Sequence, residues 1–122
     1  MKLAFIGGGT MAEAILQGVL AAKLAGPGDI WVGERLAGRR DYLSQQYGVH
    51  VGPDNEEALR DADLVLLAVK PQDLAAVFGQ LKGRLGAEQS ALSIVAGVKV
   101  STLAAGLGHE AIIRVMPNTP AQ

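Results

Sequence analysis

A run of three glycines directly after the first apolar segment constrains this chain more than any other feature. Leu3 to Gly7 reads as a strand, and it passes without a spacer into Gly7-Gly8-Gly9-Thr10-Met11-Ala12. Thr10 to Leu24 then reads as a helix, with Met11, Ile15, Val19 and Ala22 on one face at helical spacing. A strand that turns at once into a helix needs backbone conformations closed to most residues carrying a Cβ. The small residues of the pattern G-x-G-x-x-A supply them: Gly7 for the tight turn, Gly9 for open space in front of the helix, and Ala12 for close packing of the helix on a sheet.

Short apolar runs alternate with longer amphipathic stretches through the rest of the chain. Ile30 to Gly33 is expected as a second strand after the break at Gly26-Pro27-Gly28, and Ala37 to Tyr47 as a helix ended by Gly48. Val49 to Val51 is a minimal third strand, followed by a short helix through Arg60 that Asp54 or Asn55 can cap. Leu64 to Val69 is continuous and apolar, the signature of a strand buried on both faces. Pro71 suits the first turn of a helix running to about Arg84. Ala91 to Val95 is a fifth strand, Ser101 is read as capping a helix that carries Leu103 and Leu107, and Ile112 to Val115 is a sixth strand stopped by Pro117. Strands alternating with helices require parallel neighbours joined by crossovers. The expectation is an α/β fold: a doubly wound, Rossmann-type, mostly parallel sheet of about six strands in the order 3-2-1-4-5-6, one domain over residues 1–122.

In that setting the glycine turn is expected to bind the pyrophosphate of a nicotinamide dinucleotide. The free N–H groups of the first helical turn point at the phosphates, and the helix dipole favours their charge. The group that reads the adenosine ribose should end the second strand, and Glu34 stands there, 22 residues beyond Ala12 against a usual spacing of about 20. A carboxylate accepting from a 2′-hydroxyl favours NAD. Arg35 follows at once, with Arg39 and Arg40 at the start of the next helix, and a guanidinium beside a 2′-phosphate favours NADP. The alternative is a solvated helix start in which Glu34 and the arginines pair at the surface.

Composition narrows the remaining classes. Hydrophobic residues make up 49% and charged residues 19%, with a net charge of −1, so neither a nucleic-acid surface nor a disordered chain is expected. The absence of cysteine excludes disulfides, thiol catalysis and thiolate metal sites, and agrees with a reducing, cytoplasmic setting. Apolar runs fall far short of the roughly 20 residues that span a bilayer, and the first residues are too short an apolar stretch for a signal-peptide core. No metal-ligand cluster, carboxylate pair or Ser-His-Asp set is visible. His50 and His109 read as structural or surface residues, and Tyr42 and Tyr47 as packing on a helix face. No catalytic side chain is assigned.

Taken together, the chain resembles the pyrroline-5-carboxylate reductases. The resemblance rests on Phe5-Ile6-Gly7-Gly8-Gly9-Thr10-Met11-Ala12-Glu13-Ala14, Asn55-Glu56-Glu57-Ala58, Ala62-Asp63, Ala68-Val69-Lys70-Pro71-Gln72, Ala96-Gly97-Val98 and Met116-Pro117-Asn118-Thr119-Pro120, in the family's order and over nearly the whole chain. It implies that Ile6, Gly7, Gly8, Gly9, Thr10 and Met11 wrap the pyrophosphate and that Glu34 and Arg35 meet the adenosine end. Asn55 would touch the cofactor, Ala68, Val69, Lys70 and Pro71 would line the nicotinamide-side ribose, and Ile94, Val95, Ala96 and Gly97 would lie near the nicotinamide. Asn118 and Thr119 would face a small cyclic imino acid. For Asn55 the alternative is a helix cap, for Lys70 a solvated lysine, and for Asn118-Thr119-Pro120 ordinary turn chemistry.

The resemblance implies NADP as cofactor; NAD is the alternative, because Glu34 stands where members often carry a neutral polar residue. It also implies a following helical domain that dimerises and supplies most of the substrate pocket. That domain's Ser/Gly-rich motif is absent here, so a truncated form, a proteolytic product or a stand-alone module is expected, monomeric by itself. Competing readings are a β-hydroxyacid or prephenate-type dehydrogenase, a deazaflavin-linked NADP reductase, and a non-catalytic nucleotide-sensing or protein-interaction module.

Overall fold

Six short strands pair side by side in the computed structural model, which describes residues 1–115. They are β1 (Leu3–Ile6), β2 (Ile30–Gly33), β3 (His50–Gly52), β4 (Leu64–Leu67), β5 (Ser90–Ser93) and β6 (Ile112–Arg114), in the order β3-β2-β1-β4-β5-β6 with every pairing parallel. The expected order is therefore the observed one. The connecting helices are α1 (Thr10–Ala21), α2 (Ala37–Tyr47), α3 (Asn55–Leu59), α4 (Leu74–Leu81) and α5 (Val100–Leu107).

Side-chain alternation on β1 divides the core in two. Leu3 and Phe5 join Ile30, Val32 and Leu66 beneath Ala12 and Leu16 of α1 and Leu43 of α2. Ala4 and Ile6 join Val65, Leu67 and Ala91 beneath α3, α4 and α5, through Leu59, Leu74, Leu81, Leu103 and Leu107. β1 is consequently buried along its whole length, as a central parallel strand must be.

The register brings the carboxyl ends to one edge. Ile6 is level with Gly33 and Leu67, Leu67 with Ser93, Gly33 with Gly52, and Ser93 with Arg114. The loops that leave these ends therefore emerge together, at the place where the strand order reverses between β1 and β4.

Several local expectations shift. α1 ends at Ala21 rather than Leu24, because Lys23 takes a left-handed φ of 57°. Its core stripe runs through Ala12 and Leu16, while Met11, the neighbour of Ala12, is half exposed and Ala22, past the helix, is exposed. β4 ends at Leu67 rather than Val69, and beyond Ala68 the chain passes into a 3₁₀ turn, Pro71–Asp73, that feeds α4, which itself ends at Leu81 rather than Arg84. Asp54 rather than Asn55 caps α3, accepting from the Glu56 amide at 2.9 Å. Ser101 sits inside the first turn of α5, and Lys99 occupies the capping position without a side-chain bond. Gly48 ends α2 in the left-handed conformation, as its position after Tyr47 required. Among the described residues no helix is long and apolar enough to cross a membrane.

Because Phe5 is fully buried in the central strand, Phe5→Ala is expected to destabilise the protein by about 3–5 kcal/mol. Leu24→Ala, at a position 58% exposed, should stay within about 0.5 kcal/mol of the parent. Urea denaturation of the three proteins checks both.

Candidate functional site

Gly7 fixes the centre of the strand-end edge. Its φ is +100°, and a Cβ there would lie 2.7 Å from the Ala68 carbonyl oxygen and 3.1 Å from Val69. Its N–H donates to the Gly33 carbonyl at 2.8 Å. One residue thus touches the ends of β2 and β4 together, which only glycine allows without strain. Gly8 is packed as tightly, with Leu43, Val32 and Glu34 within 3.2 Å of a built Cβ. Gly9 differs: among the described residues nothing lies within 4 Å of the space a Cβ would take.

That open space faces the start of α1. Gly9 precedes the helix with no side-chain cap. Among the described residues the amides of Gly9, Thr10 and Met11 have no acceptor. A helix start with converging unclaimed N–H groups and open space before it fits an anion, and the dipole adds to the attraction. The residues present therefore suit a phosphate group.

The remaining positions expected at this edge are found there. Ala68 extends the ladder, its amide donating to the Ile6 carbonyl at 2.9 Å, and Ile94 does the same to Leu67 at 3.2 Å. Lys70 and Pro71 are exposed beyond Ala68 and Val69, and Ala96 and Gly97 are exposed beyond the buried Val95. Asn55 opens α3 with its Oδ1 against Gly33, where a Cβ would lie 2.1 Å away, and its Nδ2 donates to Gln80 at 2.7 Å. Asn55 is thus held by the fold rather than acting as a cap. Asn118 and Thr119 lie outside the described residues.

The charged residues after β2 do not form the surface pairing of Glu34 with the arginines. Glu34 pairs with no arginine side chain. Its Oε1 accepts from the Gly8 amide and its Oε2 from the Leu36 amide, each at 2.9 Å. Arg40 donates to the carbonyls of Glu34 and Arg35, at 2.8 and 2.9 Å, and so braces the turn. Arg39 donates through Nε to the Gly8 carbonyl and pairs with Glu13 at 2.7 Å. Arg35 is exposed, and among the described residues its side chain has no hydrogen-bond or ion-pair partner.

Sequence reasoning missed the network around Glu13. Arg39 takes one carboxylate oxygen, and Tyr42 and Tyr47 donate their hydroxyls to the other, Tyr42 at 2.8 Å. Gln17 donates to the Tyr47 hydroxyl at 2.8 Å. The hydrogen bonds from Tyr47 and Tyr42, followed by that from Arg39, hold the Glu13 carboxyl below the usual carboxylate range. A signal was available: an acidic residue in the first turn of a helix meant to meet an anion calls for a nearby cation.

His50 begins β3 at the opposite end of the strand and stacks on Trp31, with ring centroids 5.2 Å apart. His109 Nε2 lies 2.6 Å from the Gln89 carbonyl oxygen. Neither reaches the edge that carries the glycine turn. A half-open pocket of about 130 Å³ near Lys2, Trp31 and Arg60 is likewise at the amino ends of the strands.

Sheet order, glycine turn and strand-end loops define an α/β domain of the Rossmann type. The chain belongs to the family described as NADP oxidoreductase coenzyme F420-dependent, whose model matches residues 2–97. It is 49% identical to a pyrroline-5-carboxylate reductase of Synechocystis sp. over 122 residues, which are 99% of this chain and 45% of that protein. Among solved structures it is similar to a pyrroline-5-carboxylate reductase from Coxiella burnetii, with TM-score 0.89, 36% identity, and coverage of 98% of this chain and 44% of that one. It is also similar to a pyrroline carboxylate reductase of Plasmodium falciparum with NADP bound, with TM-score 0.81, 28% identity, and coverage of 98% and 43%. The chain spans less than half the length of the relatives it matches.

The Glu13 network carries a pH signature. Its hydrogen bond with Glu13, with burial second, pushes the Tyr42 hydroxyl up from 10.0 to about 12. The folded value lies above the ordinary one, so this tie stabilises the fold fully below pH 10 and is lost as pH rises through about 12. Tyrosinate absorbance in a Tyr47→Phe variant, which removes a smaller upward contribution of Tyr47 itself, should still titrate well above 10. Adding Glu13→Gln should bring the midpoint back toward 10; an unchanged midpoint would mean that Glu13 is not the cause.

Proposed function

We propose that this chain, over residues 1–122, is the dinucleotide-binding part of a cytoplasmic enzyme that reduces 1-pyrroline-5-carboxylate, a cyclic imino acid, to L-proline with NADPH, a step of proline biosynthesis. The observation that carries the reading is the built anion cradle: the open space at Gly9 before the unclaimed amides of Gly9, Thr10 and Met11. The reductases it resembles, and the NADP bound to the Plasmodium falciparum protein, support the chemistry assigned to that cradle.

When bound, the nicotinamide supplies a hydride; the protein's share is to hold and orient the reactants. In this reading Ile6 to Met11 seat the diphosphate, and the free Arg35 guanidinium meets a 2′-phosphate. Asn55, fixed by Gln80, and the Ala68 to Pro71 loop flank the ribose on the nicotinamide side. Ile94 to Gly97 approach the nicotinamide ring, and Asn118 and Thr119 face the imino acid. The cysteine-free composition supports a reducing compartment. Grip on the substrate carboxylate and dimerisation belong, by resemblance, to a helical domain. Without it the donor and acceptor carbons lack the positioning that is worth about 7–11 kcal/mol of barrier, so residues 1–122 by themselves should bind cofactor without useful turnover.

The family description favours a second reading, an NADP reductase linked to coenzyme F420. Lys70-Pro71 after β4 and Pro117-Asn118-Thr119-Pro120 argue for the imino-acid enzyme instead. Oxidation of NADPH by the whole protein with 1-pyrroline-5-carboxylate, and not with oxidised F420, is the expected outcome; the reverse pattern would select the second reading.

Calorimetric titration with NADPH and NADH tests the binding itself. Heat with NADPH is expected, and Gly9→Asp should abolish it by placing bulk and negative charge where phosphate sits. Arg35→Ala should weaken NADPH by about tenfold, the worth of one charge-assisted contact, and NADH much less. Equal losses for both would remove Arg35 from the 2′-phosphate.

A further inference from the structure

We infer that Glu34 and Arg39 act as a two-sided clamp on Gly8, positioning the cofactor turn equally for NADH and NADPH and leaving discrimination between them to Arg35. The inference rests on the dinucleotide reading above for its ligand, but the clamp is a property of the free protein.

Gly8 is the middle residue of three glycines, where backbone freedom is greatest and an amide array least fixed. Both of its backbone groups are taken by ionised side chains. Glu34 accepts from its N–H at 2.9 Å, and the Arg39 Nε–H donates to its carbonyl. Charge-assisted bonds of this kind are stronger than neutral ones. Each clamp arm is itself anchored. The second oxygen of Glu34 accepts from the Leu36 amide at 2.9 Å, and Arg40 bridges the carbonyls of Glu34 and Arg35. Arg39 is anchored by Glu13 at 2.7 Å, and its guanidinium lies 5.1 Å from the centre of the Tyr42 ring.

Two consequences follow for the cofactor. The Glu34 carboxylate already serves two amides, so its negative charge is oriented into the protein's own backbone rather than held free for a ribose hydroxyl. The amide of Gly8 is removed from the anion site, which leaves those of Gly9, Thr10 and Met11 to converge on a phosphate. Of the three arginines after β2, Arg39 and Arg40 are committed to carbonyls, and the free Arg35 can meet a 2′-phosphate.

The test reads the clamp twice. In the free protein, amide hydrogen exchange followed by NMR should show Gly8 and Leu36 exchanging about tenfold faster or more in Glu34→Ala, with the β1 and β4 amides unchanged. Unaltered exchange at Gly8 would overturn the clamp. In titrations, Glu34→Ala and Arg39→Ala should each weaken NADPH and NADH by a common factor, keeping their affinity ratio within about twofold, whereas Arg35→Ala should move that ratio by about tenfold. A Glu34→Ala variant that binds NADPH more tightly and NADH less tightly would make Glu34 the ribose reader and overturn the inference. Glu34→Gln and Arg39→Lys, which keep size or charge, carry the same comparison if an alanine variant loses protection throughout the sheet. A parent protein that binds neither dinucleotide would defeat the functional reading, while the exchange measurement would still decide the clamp.

Discussion

Everything at the strand-end edge depends on the close approach of Gly7 to Ala68. β1 and β4 are the two strands between which the sheet changes its direction of winding, so the chain must leave β1 one way and β4 the other at the same height. Gly7 makes that possible by turning with φ at +100° while its missing side chain admits the Ala68 carbonyl. Its N–H closes the opposite side by bonding to Gly33. A methyl group at this position would push apart the end of β4 and with it the Ala68 to Pro71 loop. The glycine is thus first a packing requirement of the parallel sheet, and the open helix start at Gly9 follows from it.

The second dependence is electrostatic. A turn of three glycines has little to hold its shape, yet an anion site needs its amides aimed at one point. The side chains that hold Gly8 come from the end of β2 and the start of α2, the same segment that carries Arg35. In the proposed reading, shape at the diphosphate end and charge at the adenosine end are in this way tied to one stretch of backbone. Glu13, which would otherwise repel a phosphate from the first turn of α1, is neutralised by Arg39 and shielded by two tyrosine hydroxyls.

Topology was legible in the sequence because it follows from local periodicity: six apolar runs separated by helix-length stretches admit few arrangements, crossover rules leave a handful of orders, and the glycine turn after the first strand selects 3-2-1-4-5-6 among them. The glycine turn was legible for the same reason, since backbone demands show in residue type. What could not be read was side-chain pairing between distant segments. Glu34 read as a partner of the arginines in one alternative, but its carboxylate meets the Gly8 and Leu36 amides, and the contact to Gly8 is one that no spacing rule signals. Tyr42 and Tyr47 read as packing residues, and Tyr47 does pack on the core with the Tyr42 ring edge to face against it; what the sequence did not signal is that both hydroxyls also reach Glu13 on another helix. Met11 fitted the apolar stripe by period and missed it in fact, because the stripe that meets the core runs through its neighbour Ala12 and Leu16, which leaves Met11 half exposed. Ser101 has the right chemistry for a cap and stands in the first turn of the helix instead of before it.

The central claim is that the strand-end edge around Gly9 is a dinucleotide site, and backbone amide shifts during titration with NADPH test it most directly. The largest changes are expected at Gly9, Thr10 and Met11, with further ones at Arg35, Asn55, the Ala68 to Lys70 loop and Ile94 to Gly97. Shifts confined to the opposite edge, around Lys2, Trp31 and Arg60, or no shifts at millimolar NADPH, would contradict that claim.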